Sequence, residues 1–241
     1  MFIVVVGVAA LLTSILSAIA GLGGGVILLM VIAQFVAPTV AIPIQGAIQL
    51  ASNSSRAWFL RGDVAWGPVG WSSILLLPAS LLGVAIATSL PDDAIRIALA
   101  LFVLVLAWRP DILKWRGGQE LPAPALVTVG GASGLINTTV GASGPVTSPF
   151  FKAATATHVS FVATAAVAQV LAHVSKLIAF AADGWSARDH LGVIAVGIVG
   201  VVIGSRVGTR LMGRFSEERL SQLFKLVLTA LAVRLLLTSL L

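Results

Sequence analysis

The sequence contains neither cysteine nor tyrosine, and charged residues occupy only 10% of its 241 positions. The absence of cysteine excludes disulfides, thiolate chemistry and cysteine-based metal sites. A soluble domain carries about 25% charged residues, so this chain cannot cover itself with a solvated surface. Hydrophobic residues make up 58% of the chain, and no charged side chain precedes Arg56. We therefore expect a protein that crosses a membrane several times.

Acidic residues are also scarce, since the chain contains nine aspartates and glutamates but fifteen lysines and arginines. The basic residues are scattered between apolar stretches and form no basic face, so we expect no nucleic-acid partner and assign them to loops on one side of a bilayer. Every carboxylate lies in a predicted loop or at the end of a predicted span. This distribution argues against an acidic cation pore and an acidic proton relay. The chain also lacks HExxH and GxSxG motifs, so we expect no enzyme, metal site or cofactor.

Long apolar stretches and turn residues divide the chain into segments. The apolar segments are 2–20, a short piece at 24–37, then 41–60, 65–90, 94–108, 154–181, 190–212 and 218–240. A polar linker rich in Pro and Gly, at 109–120, separates two halves, 1–108 and 121–241. We expect both halves to lie in the membrane and the linker to lie in the cytoplasm.

The two halves share polar residues at a spacing of 120 positions. Gly24 matches Gly144, Gln49 matches Gln169, and Arg56 matches Lys176. Coincidence is the alternative, but matches among rare polar residues favour an internal repeat. The acidic loop at 91–93 corresponds to an arginine-rich region around Arg206, Arg210, Arg214 and Arg219. The positive-inside rule then puts equivalent loops on opposite sides, which predicts inverted repeats.

Glycines cluster where each half contains a segment too short to cross a membrane alone. Broken helices in two inverted repeats are a device of transporters, in which half-helix N-termini point main-chain N–H groups at an anion. The alternative is close helix packing through small residues. The predicted fold is an all-α polytopic membrane protein with two inverted repeats. Each repeat has about four full transmembrane helices and a short Gly-rich broken or re-entrant segment.

A polar stripe follows the break in each half. Gln49, Asn53 and Arg56 share one helix face, and Gln169, His173 and Lys176 do the same. Such a stripe is costly against lipid, so we expect it to face the protein interior or a cavity. The alternatives are structural hydrogen bonds for the glutamines, headgroup contacts for Arg56 and Lys176, and a satisfied structural role for His173. Around the second break, Asn137, Thr138, Thr139 and Ser143 add hydrogen-bonding groups. The predicted substrate-binding residues are Gly23, Gly24, Gly25, Gln49, Asn53, Arg56, Thr139, Ser143, Gly144, Gln169, His173 and Lys176.

The stretches GLGGGVILL at 21–29 and GASGPV at 141–146, within halves of roughly equal length, resemble the TauE/SafE family. These are sulfite and organosulfonate exporters, also called the toluene sulfonate uptake permease family. The resemblance implies ion-coupled export of a small anion. It assigns the glycine motif to Gly21, Gly23, Gly24 and Gly25, and to Gly141, Ser143, Gly144 and Pro145. Ala142 and Ser143 depart from the family's fuller glycine pattern.

Together these features predict a secondary transporter, specifically an exporter, for a small oxyanion such as sulfite, a sulfonate or a small carboxylate. We expect it in the inner (plasma) membrane, with the anion bound between the two breaks. We consider a proton as the coupling ion, since histidine titrates near neutral pH, and a homodimer as the assembly. A passive anion channel is the main alternative function. A structural membrane subunit is another.

Overall fold

The protein is described by a computed structural model that covers residues 1–20, 24–109, 112, 121–211 and 217–240. The described residues form helices and no strand, which confirms the all-α prediction. The helices follow the chain in this order: α1 (Phe2–Ala20), α2 (Gly24–Ile32), α3 (Pro38–Phe59), α4 (Trp66–Ser73), α5 (Leu76–Ser89), α6 (Asp92–Trp108), α7 (Ala123–Thr139), α8 (Gly144–Ala153), α9 (His158–Ala182), α10 (Leu191–Leu211) and α11 (Glu217–Leu240). Short 3₁₀ turns lie at Arg61–Asp63 and Ala187–His190.

Three of the described helices, α9, α10 and α11, are long and apolar enough to cross a membrane. The short helices α4 and α5 meet at a bend of 44° and count as a fourth span when taken together. The chain is thus a multi-pass membrane protein, as its composition predicts. The expected number of four full helices in each repeat stays a prediction.

Helix starts repeat at the spacing found in the sequence. The helices α2 and α8 begin at Gly24 and Gly144, and α3 and α9 begin at Pro38 and His158, 120 residues apart in both cases. The division into repeats at 1–108 and 121–241, and the inversion of one against the other, stay predictions. Most of the predicted linker, 109–120, lies outside the described residues, which there include Arg109 and Ile112.

The chain forms two compact units, and each combines segments from both halves of the sequence. Unit 1 contains Met1–Gln49, Leu90–Pro110 and Ser186–Leu241. Within it α1 packs along α10, and α6 packs along α11. A Cβ atom at Gly204 of α10 would overlap the Leu11 carbonyl oxygen of α1, and Ser14 Oγ donates to the Val201 carbonyl oxygen at 2.8 Å. Small residues therefore bring these two helices into backbone contact.

Unit 2 contains Leu50–Ser89 and Asp111–Trp185. Within it α7 packs along α4 and α5, and also contacts α8 and α9. Glycines again permit close approach, because a Cβ atom at Gly130 would overlap the Ser72 carbonyl oxygen, and one at Gly134 would overlap that of Leu76. The start of α4 is tied to α9, since the Ala65 amide donates to Thr164 Oγ1 at 2.9 Å. These contacts hold α7 and α9 around the second glycine-rich segment.

Candidate functional site

The helices on either side of the first glycine-rich segment do not form one continuous helix, because α2 packs back against α1. A Cβ atom at Gly24 would overlap the Thr13 carbonyl oxygen and lie 2.7 Å from Cβ of Ser17. In a continuous helix Thr13 and Gly24 would be about 16 Å apart. Glycine is required at position 24 because the backbone of α1 fills the place of a side chain.

Two glutamines of α3 reach the start of α2 inside unit 1. Gln45 is 3% exposed, and its Nε2 donates to the Gly25 carbonyl oxygen at 3.2 Å. A Cβ atom at Gly25 would overlap Nε2 of Gln49, so this amide lies directly against the main chain of Gly25. Gln45 and Gln49 are four residues apart and share one face of α3. The first turn of α2 is therefore lined by side-chain amides.

The second glycine-rich segment is also a break. Ser133 Oγ of α7 donates to Ser143 Oγ at 2.9 Å, although ten residues of continuous helix would separate them by about 15 Å. Gly141 adopts φ of 81°, a left-handed conformation that suits glycine. The amides of Val146 and Thr147 both donate to the Ser143 carbonyl oxygen. The Gly144 amide precedes this first hydrogen-bonded turn of α8. N–H groups at the start of a helix have no intrahelical acceptor.

Proline contributes to the start of α8. Pro145 occupies the first turn of α8. Proline suits this position because its fixed φ is helical and a donor there would have no intrahelical acceptor.

A lysine completes the second break. Lys176 of α9 is 0% exposed, and its Nζ donates to the Gly141 carbonyl oxygen at 2.9 Å. The ammonium group is thus held inside unit 2, which contradicts the alternative that Lys176 extends to lipid headgroups. It brings a basic side chain to the break, at the end of α7 where helix carbonyl groups carry partial negative charge.

Gln169 of α9 approaches the first residue of α8. A Cβ atom at Gly144 would lie 3.6 Å from Gln169 Nε2, which is ordinary van der Waals distance. Gln169 corresponds to Gln49, and Gly144 corresponds to Gly24, beside Gly25. In each unit, a glutamine from the long helix after the break therefore lies beside a glycine in the first turn of the short helix.

The amino-acid sequence matches the family described as Sulfite exporter TauE/SafE over residues 6–235. The chain belongs to the TauE/SafE family. The match covers nearly the whole chain and confirms the resemblance drawn from the glycine motifs. No curated protein and no solved structure matches the chain. As a member of a transporter family, this TauE/SafE protein acts in a lipid bilayer on a small anionic substrate.

The remaining predicted site residues of the TauE/SafE protein have varied surroundings. Asn53 and Arg56 are half-buried and belong to unit 2, whereas Gly24, Gly25 and Gln49 belong to unit 1. Gly23 lies outside the described residues. The Thr139 hydroxyl bonds to the Leu135 carbonyl oxygen of its own helix at 2.8 Å.

Two further predicted site residues, Ser143 and His173, lie near the second break. Ser143 is 1% exposed and bonded to Ser133, as noted above. His173 is buried on the α9 face that also carries Gln169 and Lys176. Its Nδ1 has no hydrogen-bond partner among the described residues. The alternative considered from the sequence was a structural His173 with all its hydrogen bonds made. The described residues do not supply a partner for Nδ1.

Gln45 is the residue that the sequence reasoning missed. The signal was available, because Gln45 lies four residues before Gln49 and therefore on the same helical face. It has no polar counterpart in the second half, where position 165 is alanine, so comparison of the repeats passed over it. Within the described residues, no group of three or more His, Asp or Glu side chains could hold a metal ion.

Proposed function

We propose that the protein is a secondary transporter that exports a small oxyanion, such as sulfite or an organosulfonate, across the inner (plasma) membrane. Main-chain N–H groups at the starts of α2 and α8 bind the anion, as half-helix N-termini do in other transporters. The observation that carries the proposal is the placement of Gln49 and Gln169 beside Gly25 and Gly144. Each glutamine adds a side-chain N–H donor next to main-chain donors.

The electrostatics of the second break favour an anion. Lys176 is held at Gly141, and the first turn of α8 carries the positive end of its helix dipole. Hydrogen bonds between ionised and polar groups are shorter and stronger than those between neutral groups. A small anion held here would be recognised mainly by its charge and its acceptor oxygens.

The transport cycle we propose uses the internal repeat. The halves 1–108 and 121–241 form inverted repeats, and motion of one repeat against the other exposes the anion alternately to each side of the membrane. A proton is the coupling ion, with His158 or His173 of α9 as the group that carries it. A passive anion channel is the competing function, and uphill flux distinguishes the two.

A binding and flux experiment tests the proposal. Purified protein is melted with sulfite, thiosulfate, sulfate, taurine and acetate, since a ligand that binds the folded state raises its melting temperature. The same protein in liposomes is loaded with sulfite, and efflux is followed with and without an imposed pH gradient. We expect sulfite or a sulfonate to raise the melting temperature and the gradient to drive uphill flux.

Glutamine variants locate the site. Gln49→Leu and Gln169→Leu should each weaken anion binding about tenfold, which corresponds to the loss of one hydrogen bond to a charged group. Gln34→Leu is the matched control, because Gln34 donates to the Met30 and Leu231 carbonyl oxygens and is assigned no role in binding. If no anion shifts the melting temperature, and both site variants leave flux intact, the proposal is wrong.

A further inference from the structure

Asn137, near the end of α7, is a wholly buried amide with unused hydrogen-bonding groups. The residue is 0% exposed, and neither Oδ1 nor Nδ2 has a hydrogen-bond partner among the described residues. Its neighbours differ, since the hydroxyls of Thr138 and Thr139 both bond to carbonyl oxygens of their own helix. A buried polar group without a partner is costly, and in native proteins it commonly marks a place where a ligand or water binds.

The face of α7 that carries Asn137 is the face that meets the start of α8. Ser133 precedes Asn137 by four residues and therefore lies on the same side of the helix. The Ser133 hydroxyl bonds to Ser143, immediately before α8. Asn137 therefore lies close to the second break along the chain and shares a side of α7 with Ser133. It also lies three residues after Gly134, which contacts α5.

A second unpartnered group approaches the same break from α9. Lys176 contacts Gly141 and Gln169 lies near Gly144, so these two residues bracket the break. His173 lies between them on the same face of α9, is 4% exposed, and has no partner for Nδ1 among the described residues. Two helices that contact the second break therefore each carry a buried side chain with an unpaired polar atom.

The amide of Asn137 restricts the chemistry of its ligand. Nδ2 can donate to an anion oxygen, but Oδ1 can only accept a hydrogen bond. A fully ionised sulfonate, sulfate or sulfite dianion has acceptor oxygens and no donor, so it satisfies one side of the amide and leaves the other unpaired. An anion with its own hydroxyl group satisfies both sides.

Resting on the proposed anion transport, we propose that Asn137 selects a hydroxyl-bearing monoanion, the class to which hydrogen sulfite belongs, over anions without a proton. The anion oxygens accept from Asn137 Nδ2 and from the Gly144 amide at the start of α8, and the anion hydroxyl donates to Asn137 Oδ1. The nearby charges are consistent with a monoanion. Among the helices packed against α7, α4 and α5 have no titratable side chain, α8 has the exposed Lys152, and α9 has His158, His173 and Lys176.

A pair of isosteric anions tests the selection directly. Hydrogen sulfite, in its HO–SO₂⁻ form, and methanesulfinate, CH₃–SO₂⁻, differ by a hydroxyl in place of a methyl group. Their affinities are measured by calorimetry on the purified full chain at a mildly acidic pH where sulfite is mainly monoanionic. The chain contains no cysteine, so sulfite has no disulfide to cleave. We expect hydrogen sulfite to bind about tenfold more tightly, as one additional hydrogen bond implies.

Asn137→Leu removes both polar groups at similar volume. We expect the tenfold preference to fall to near unity, while the affinity for methanesulfinate falls about tenfold through loss of the Nδ2 hydrogen bond. Asn137→Ser keeps a donor and an acceptor and should retain part of the preference. Ser80→Ala is the matched control, because Ser80 is equally buried but its hydroxyl bonds within α5 to the Leu76 carbonyl oxygen. It should leave the preference unchanged.

The outcomes separate this inference from the proposed function. Equal affinities of the unmodified protein for the two anions would overturn the selection and leave anion transport standing, with water as the partner of Asn137. A preference that persists in Asn137→Leu would also overturn it. Absence of binding by every anion tested would remove the proposed function and this inference together. The relative affinity of the unmodified protein for hydrogen sulfite and methanesulfinate tests the selection even where a variant fails to fold.

Discussion

The ammonium group of Lys176 on α9 and the carbonyl oxygen of Gly141 are 2.9 Å apart in the interior of unit 2. This hydrogen bond joins the long helix after the second break to the break itself. Gly141 has a positive φ, which turns the chain out of α7 before α8 begins. The lysine thus ties α9 to the turn that follows α7 and places a basic side chain there.

Replacing Lys176 should weaken anion binding. Lys176→Met keeps the side-chain volume and removes the charge, and we expect affinity for the preferred anion to fall at least about tenfold, because hydrogen bonds to charged groups contribute about 1.5–3 kcal/mol. Lys152→Met makes the same change at an exposed position near the end of α8 and should bind normally. A folded Lys176→Met protein with unaltered affinity would contradict an electrostatic role for this lysine.

Alanine should have different effects at the first residues of the two short helices. Gly24→Ala forces a methyl group into the Thr13 carbonyl oxygen, so we expect a loss of about 1–3 kcal/mol in unfolding free energy. At Gly144 the new methyl group would meet Gln169 at 3.6 Å, so Gly144→Ala should change stability by less than about 1 kcal/mol. Thermal melting followed by tryptophan fluorescence compares the two. Equal stability losses would be inconsistent with the contacts described.

Neighbouring glycines on α7 provide a second matched pair. A Cβ atom at Gly130 would overlap the Ser72 carbonyl oxygen, whereas one at Gly131 would lie 3.5 Å from Leu75 Cβ. We expect Gly130→Ala to lower the melting temperature through overpacking. Gly131→Ala should maintain or raise it, because alanine favours a helix by about 1 kcal/mol over glycine. The reverse order of melting temperatures would show that α7 does not pack on α4 and α5 as described.

The tie between α9 and the start of α4 can be removed with little change of shape. Thr164 is 0% exposed and accepts the Ala65 amide. Thr164→Val leaves that N–H without this acceptor, and we expect a loss of about 1–3 kcal/mol. Thr128→Val, at an exposed hydroxyl bonded to Pro124, should cost less than about 0.5 kcal/mol. Chemical or thermal unfolding measures both, and a similarly small loss for Thr164→Val would argue against the tie.

Much of the fold follows from local sequence signals. The predicted span at 2–20 coincides with α1, and a short helix follows the glycine cluster in each half, as predicted. Helix formation in a membrane is decided by apolar length and by the need to satisfy backbone groups within the chain. Both properties are local, so they can be judged one segment at a time. The polar match of Gln49 with Gln169 likewise drew attention to the residues beside the breaks.

The sequence by itself determined the class of protein, because a chain with so few charges must lie in a membrane, and it determined where the helices break. Tertiary structure decided which residues meet at those breaks. Gln45 became a neighbour of Gly25, Lys176 proved to be buried rather than at the headgroups, and Asn137 stood out from Thr138 and Thr139 by its unpaired amide. The apolar length of a segment can be judged from neighbouring residues alone. Hydrogen-bond satisfaction depends on partners that packing brings from distant segments.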